Sequence, residues 1–285
     1  MFQPATIWRK FDRIPSAIWL SVISTALAGC EQPNPEVPAN AHTEIAGTKQ
    51  REALPEPVTA LSRGDLITVA DRAASLYASG ESPARVDPLV GRTFSIKIAF
   101  GCAGPALPDS PAVAGLAQWS WGRDEKAIEL RMTPGDWAAS TLIASSDNPP
   151  DLEAVEGFWL SRPWLVSDVC PAVEQTQATQ QDEDAAPQTL GLAATFEAGG
   201  SRIGRRNGRA YAFTIRSNGD TALEAPQKGY RLILRGRIAS FPDGRAIRCR
   251  AASPDQRPIC VFATKLDRIA FEDTDGATLS EWRPG

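Results

Sequence analysis

A catalyst built from side chains needs a proton carrier, a nucleophile or a metal ligand, and this sequence restricts all three. Its one histidine, His42, sits in a stretch of Pro and Glu with no strand or helix pattern. Mechanisms that need a folded imidazole are therefore excluded: Ser-His-Asp and Cys-His arrangements, and zinc sites with His ligands. No Gly-x-Ser-x-Gly elbow, Walker-type phosphate loop or Gly-x-Gly-x-x-Gly turn occurs. Asp273-Thr274-Asp275-Gly276 opens like a calcium loop. An EF-hand would need acids at 271 and 282, where Phe271 and Trp282 stand, so a polar turn is expected.

Paired carboxylates would still suffice for glycoside hydrolysis. Asp124, Glu125, Asp136, Asp151, Glu153 and Glu156 are available, and nothing in their spacing selects two. Trp119 and Trp121 would share one face of a strand. Exposed, such a pair stacks on sugar rings; buried, it fills a core, the reading favoured here.

Arginine gives a sharper signal. Residues 31–188 hold 11 Lys and Arg against 23 Asp and Glu, whereas residues 189–285 hold 16 against 10. The excess concentrates in Arg202, Arg205, Arg206 and Arg209, on an expected hairpin tip, and in Arg231, Arg235 and Arg237, on one strand face. Guanidinium forks suit phosphate and carboxylate. The alternatives are a solvated turn, or a basic half docking on its own acidic neighbour.

Cys102, Cys170, Cys249 and Cys260 form an even set without Cys-x-x-Cys. Four cysteines allow three connectivities. Neighbours in sequence are the expected partners, Cys102–Cys170 and Cys249–Cys260. The second would staple a hairpin and contribute on the order of 3 kcal/mol in the chain-entropy model.

The elements that must position these residues read as mainly β. One short N-terminal helix precedes one or two small antiparallel barrel or sandwich units. Ser62 caps a helix to about Ser79, with Asp65 in its first turn and Gly80 at its end. Leu66, Ala70, Ala73 and Tyr77 are its expected buried face. Thr93–Phe100 alternates with period two. Gln118–Trp121 and Ala127–Met132 flank a polar turn. Gly157–Leu160, Trp164–Val166, Thr189–Glu197, Arg209–Arg216, Tyr230–Ser240, Ala246–Arg250, Ile259–Lys265 and Arg268–Glu272 are further strand candidates. Residues 61–80 are thus a helix, 86–175 a first β unit, 176–188 a linker and 189–285 a second β unit. A single larger β domain is the alternative.

At the N-terminus, Arg9, Lys10 and Arg13 precede an uncharged apolar run, Ile14–Ala28, too short for a confident membrane span. It closes on Leu27-Ala28-Gly29-Cys30, which resembles the lipobox of bacterial lipoproteins. The one departure is a long basic region containing Asp12. The resemblance covers residues 1–30. It implies removal of a signal peptide, residues 1–29, and attachment of diacylglycerol to Cys30, usually with acylation of the new amino terminus. Two or more acyl chains anchor stably. Glu31 does not match the Asp that often retains such proteins on an inner membrane, so the resemblance favours an outer membrane, facing the periplasm. Residues 30–60, with five prolines and sparse apolar residues, read as a disordered tether.

The expected protein is an exported, membrane-anchored envelope lipoprotein. Its folded part binds or assembles with a protein or an anionic envelope component, without nucleic acid and without a cofactor. A carboxylate-dependent enzyme acting on envelope glycans is the alternative, and a purely structural lipoprotein a third reading.

Overall fold

The computed structural model describes residues 59–81, 87–107, 111–143, 152–172, 188–217 and 222–284. Helix α1 (Arg63–Ala78) comes first. Strands β1 (Thr93–Phe100), β2 (Ala117–Trp121), β3 (Ala127–Met132), β4 (Gly135–Asp136) and β5 (Leu152–Trp159) follow. Then come β6 (Leu190–Glu197), β7 (Tyr211–Arg216), β8 (Tyr230–Ile238), β9 (Ile247–Arg250), β10 (Ile259–Glu272) and β11 (Thr278–Trp282). No helix among the described residues is long and apolar enough to cross a membrane. Cys30 and the rest of residues 1–58 lie outside the described residues, as does the linker at 176–187.

The strands form an eight-stranded and a three-stranded sheet, mainly β and sandwich-like, not closed into a barrel. The large sheet runs β1-β8-β10-β6-β5-β4, and the small one β2-β3-β7. Strand β10 spans 14 residues and organises the large sheet. Its first half lies beside β9 and parallel to β6, and its second half beside β8 and β11. A bulge between Leu266 and Arg268 joins the two halves, which sequence patterning separates into two strands.

Pairing crosses the expected domain boundary. β1 pairs β8, β3 pairs β7, and β5 pairs β6. Ladder groups of residues 86–175 are thus answered by strands of 189–285, and the two halves share both sheets rather than forming separate units.

Period-two alternation sends Phe94, Ile96, Ile98 and Phe100 of β1 and Leu232 and Leu234 of β8 into the main core. Trp119, Leu130 and Met132 cover it from the small sheet. Trp119 is buried and Trp121 partly so, with rings 5.5 Å apart, which makes the pair core material. A second, smaller core on the opposite face holds Trp137, Ile143, Val155, Phe241 and Val261. Gly157 of β5 makes it possible: a Cβ there would lie 2.0 Å from the Trp137 ring, which rests on bare backbone.

Helix α1 carries the capping box that Ser62 and Asp65 encode. Its buried face is Leu66, Ile67, Ala70 and Ala74. That is rotated from the expected face, leaving Tyr77 exposed. The expected strand at Trp164–Val166 is absent. The buried guanidinium of Arg63 takes the carbonyls of Ser161, Arg162 and Leu165, so the segment is pinned through groups a ladder would use.

Both expected disulfides are present. Cys249 and Cys260 stand directly opposite on β9 and β10, with Cα atoms 4.0 Å apart. Cys102–Cys170 ties the turn after β1 to the segment after β5.

Candidate functional site

The arginines of residues 202–209 are spent inside the molecule. The segment between β6 and β7 is not a hairpin tip, because β6 belongs to the large sheet and β7 to the small one. It crosses between them over β5 and is fastened there by two glutamates. Glu153 accepts from Arg202 at 2.8 Å and from Arg205 at 2.9 Å. One oxygen of Glu156 accepts the backbone N–H groups of Arg206 at 2.6 Å and Asn207 at 3.0 Å. The Arg206 guanidinium lies 4.6 Å from the Tyr211 ring centroid and donates to the carbonyl of Ala210. Arg209 donates to the carbonyl of Arg206.

Burial raises the pKa of Glu156, opposed by those N–H groups and by Arg205 and Arg206. Burial also raises the Tyr211 hydroxyl, with the Glu156 charge adding to it. A cavity of about 270 Å³ adjoins them, with Thr195, Thr264 and Lys265 in its wall. Lys265 is committed to the carbonyl of Thr195. Glu153 and Glu156 thus hold a crossing chain segment, a structural task for two acids of the sequence set. Asp136 accepts the N–H of Ala138 in a turn. Asp151 and the side chain of Asp124 lie outside the described residues. Asp273 closes the β10–β11 turn by accepting from Asp275 and Ala277, the polar turn expected there.

Arg231, Arg235 and Arg237 do share a face of β8, opposite the main core. Neighbouring strands set Lys97, Lys265 and Arg268 close by in the register. Acids are interleaved. Lys97 pairs Glu272 at 3.0 Å, Arg268 pairs Glu281 at 2.7 Å, and Arg237 approaches Asp267 at 3.5 Å. Hydrogen bonds from Arg283 and then Arg268 hold the Glu281 carboxyl below its ordinary range. The stripe is therefore a mixed-charge surface in which Arg235 is exposed without an ion-pair partner among the described residues.

A larger concavity lies elsewhere, between α1 and β9, with a volume of about 790 Å³. Its apolar wall comes from Val69, Leu76 and Tyr77 of α1, with Leu89, Leu142 and Ile247. Four arginines line it, Arg72, Arg245, Arg248 and Arg250, with Glu81, Asp87 and Asp243. The acids have internal work. Asp87 accepts the N–H groups of Leu89 and Ala246, and Asp243 pairs Arg248 at 3.0 Å. Glu81 accepts from Ser79. Arg248 lies over the Phe241 ring and donates to the carbonyl of Ile143, and Arg250 donates to that of Thr141. Arg72 and Arg245 are exposed and have no ion-pair partner among the described residues.

Strand β9 presents an edge to this groove. Ala263 donates to the carbonyl of Ala246, which fixes the alternation: Arg248 and Arg250 bond inward to β10. The N–H and C=O groups of Ile247 and Cys249 then point away from β10. The next outward N–H, that of Ala251, meets the Tyr77 hydroxyl at 3.4 Å. No sequence motif marks this site. Its arginines are scattered over residues 72–250, and only the β9–β10 hairpin, stapled by Cys249–Cys260, hinted at its floor.

Comparison with protein-family models, with curated proteins and with solved structures yields no match to this chain.

Proposed function

We propose that this protein is an exported, lipid-anchored binding module rather than a catalyst, and that its groove between α1 and β9 receives an acidic, extended segment of another envelope protein. The observation that carries the reading is the chemistry of the groove. Its carboxylates are committed to internal partners, while among the described residues Arg72 and Arg245 have no ion-pair partner and the outer edge of β9 no pairing strand. A peptide laid along β9 would gain main-chain hydrogen bonds from the edge, and its acidic side chains would meet the guanidinium forks. An apolar wall on α1 would seat the side chains that alternate with them.

The lipobox-like Leu27-Ala28-Gly29-Cys30 supports the export and the anchor, and two disulfides suit an oxidising compartment. Outer-membrane attachment, facing the periplasm, is part of the same proposal.

Two measurements test it. The mass of the membrane-extracted chain should fit a start at acylated Cys30. Fluorescence anisotropy with a Glu-rich extended peptide should show binding that weakens with salt. Arg72→Glu with Arg245→Glu should weaken it by about tenfold or more, the equivalent of about 1.4 kcal/mol. Equal affinity of wild type and double variant would remove the groove from the proposal.

A further inference from the structure

We infer that the segment 161–170 is the membrane-facing surface of the folded domain, with Trp164, Val166 and Val169 entering the interfacial layer of the bilayer that holds Cys30. The inference rests on the lipid-anchored reading above and adds to it an orientation and a second membrane contact.

Single exposed apolar side chains are common and need no explanation. These three fall within six residues, with exposures of 59% for Trp164, 63% for Val166 and 44% for Val169. They also stand on backbone that is held from several directions. Arg63, itself 5% exposed, donates to the carbonyls of Ser161 at 2.6 Å, Arg162 at 2.8 Å and Leu165 at 2.8 Å. Arg162 reaches the carbonyl of Ala99, and Cys170 is bonded to Cys102. Pro163 is buried, and Val166 packs closely over Gly64 in the first turn of α1. Held this way, the segment cannot turn its apolar side chains inward without breaking those bonds. Exposure is thus fixed by the scaffold.

The occupant follows from where the chain enters the domain. Thr59 is the first described residue, Leu61 bonds to Thr93 and Ser95 at the edge of β1, and Ser62 caps α1. The next residue is Arg63, whose guanidinium carries the exposed segment. The described chain therefore enters the domain beside the apolar patch, and an anchor upstream of Thr59 is attached on that side. Trp prefers the headgroup level, and small apolar side chains gain by entering the acyl boundary. An anchor makes even a weak second contact effectively intramolecular.

The test uses the membrane-extracted full mature chain in vesicles of phosphatidylethanolamine and phosphatidylglycerol, with or without chain-brominated phosphatidylcholine. Bromine quenches tryptophan only at membrane depth. The expected result is a quenched component in the wild type that disappears in Trp164→Phe and shrinks in Val166→Asp. Equal quenching in wild type and Trp164→Phe, or none in either, overturns the inference. A dimer that Val166→Asp dissociates, with Trp164 unquenched, also overturns it and assigns the patch to a second copy. The mass of the same preparation separates the two readings. A lipidated chain with unquenched Trp164 refutes this inference alone, whereas an unlipidated chain refutes the anchor and this inference with it.

Discussion

Residues 202–209 and residues 231–237 are both dense in arginine, and the fold treats them in opposite ways. The first group lies on a segment that must cross from one sheet to the other. There Glu153 and Glu156 of β5 answer its side chains and its backbone. The second lies along a strand whose alternate residues build the core, so its guanidinium groups are sent outward. One cluster closes the molecule and the other decorates it. Density of charge along a chain reports neither outcome, because the answering groups come from strands far away in sequence.

Substitutions can break or sharpen this contrast. The largest effect is expected at Glu156. Replacing it by Ala leaves two N–H groups in a partly buried turn without an acceptor, at a cost of about 2 kcal/mol in urea unfolding. Glu156→Gln should stay close to wild type, because a single oxygen accepts both N–H groups and an amide retains one. A destabilised Gln variant together with a stable Ala variant would reverse the account.

The same residue sets a pH dependence. Its folded pKa is raised, chiefly by burial, so between the unfolded and folded values the native state holds more protons. Its contribution therefore falls as pH rises through that window and is least favourable above it. Asp65 and Glu281 act in the opposite sense: their carboxyls are held low, and their contributions fade as pH falls. The difference between wild type and Glu156→Gln, followed across pH, isolates the first effect. A difference that moved in favour of wild type with rising pH would contradict the assigned sign.

Glu153→Ala comes next. It releases Arg202, which is mostly exposed, and Arg205, whose side chain is 22% exposed. The expected loss is about 1 kcal/mol, discounted because solvent screens the outer pair. The smallest effect is expected at Arg235, where reversal to Glu should change stability by no more than about 0.5 kcal/mol. A larger loss there would show that the outward stripe is structural after all, and the contrast would fail.

Much of the local structure was legible in the chain. Ser62 and Asp65 encode a helix start through short-range hydrogen bonds, and Gly80 adopts the left-handed conformation that ends it. Strands such as Thr93–Phe100 declare themselves because one side faces a core and the other does not. Both cysteine pairs followed from neighbours in sequence. The misreadings share a cause. Arg268–Glu272 and Ile259–Lys265 are one strand because a bulge preserves pairing across an interruption in the pattern. Trp164–Val166 has strand-like residues, yet Arg63 claims its neighbouring carbonyls.

Composition and short-range pattern by themselves determined that this chain is mainly β with a helix ahead of its strands, and made Cys102–Cys170 and Cys249–Cys260 the expected pairs among three connectivities. These properties depend on residue type and on groups a few positions apart. Tertiary structure alone decided that the two halves share their sheets, that Glu153 and Glu156 fasten a crossing segment, and that Arg72 and Arg245 line one groove. Each of these brings together residues distant in the chain. It is set by which strand edge finds which partner and by which charges burial brings together, and a linear pattern carries neither.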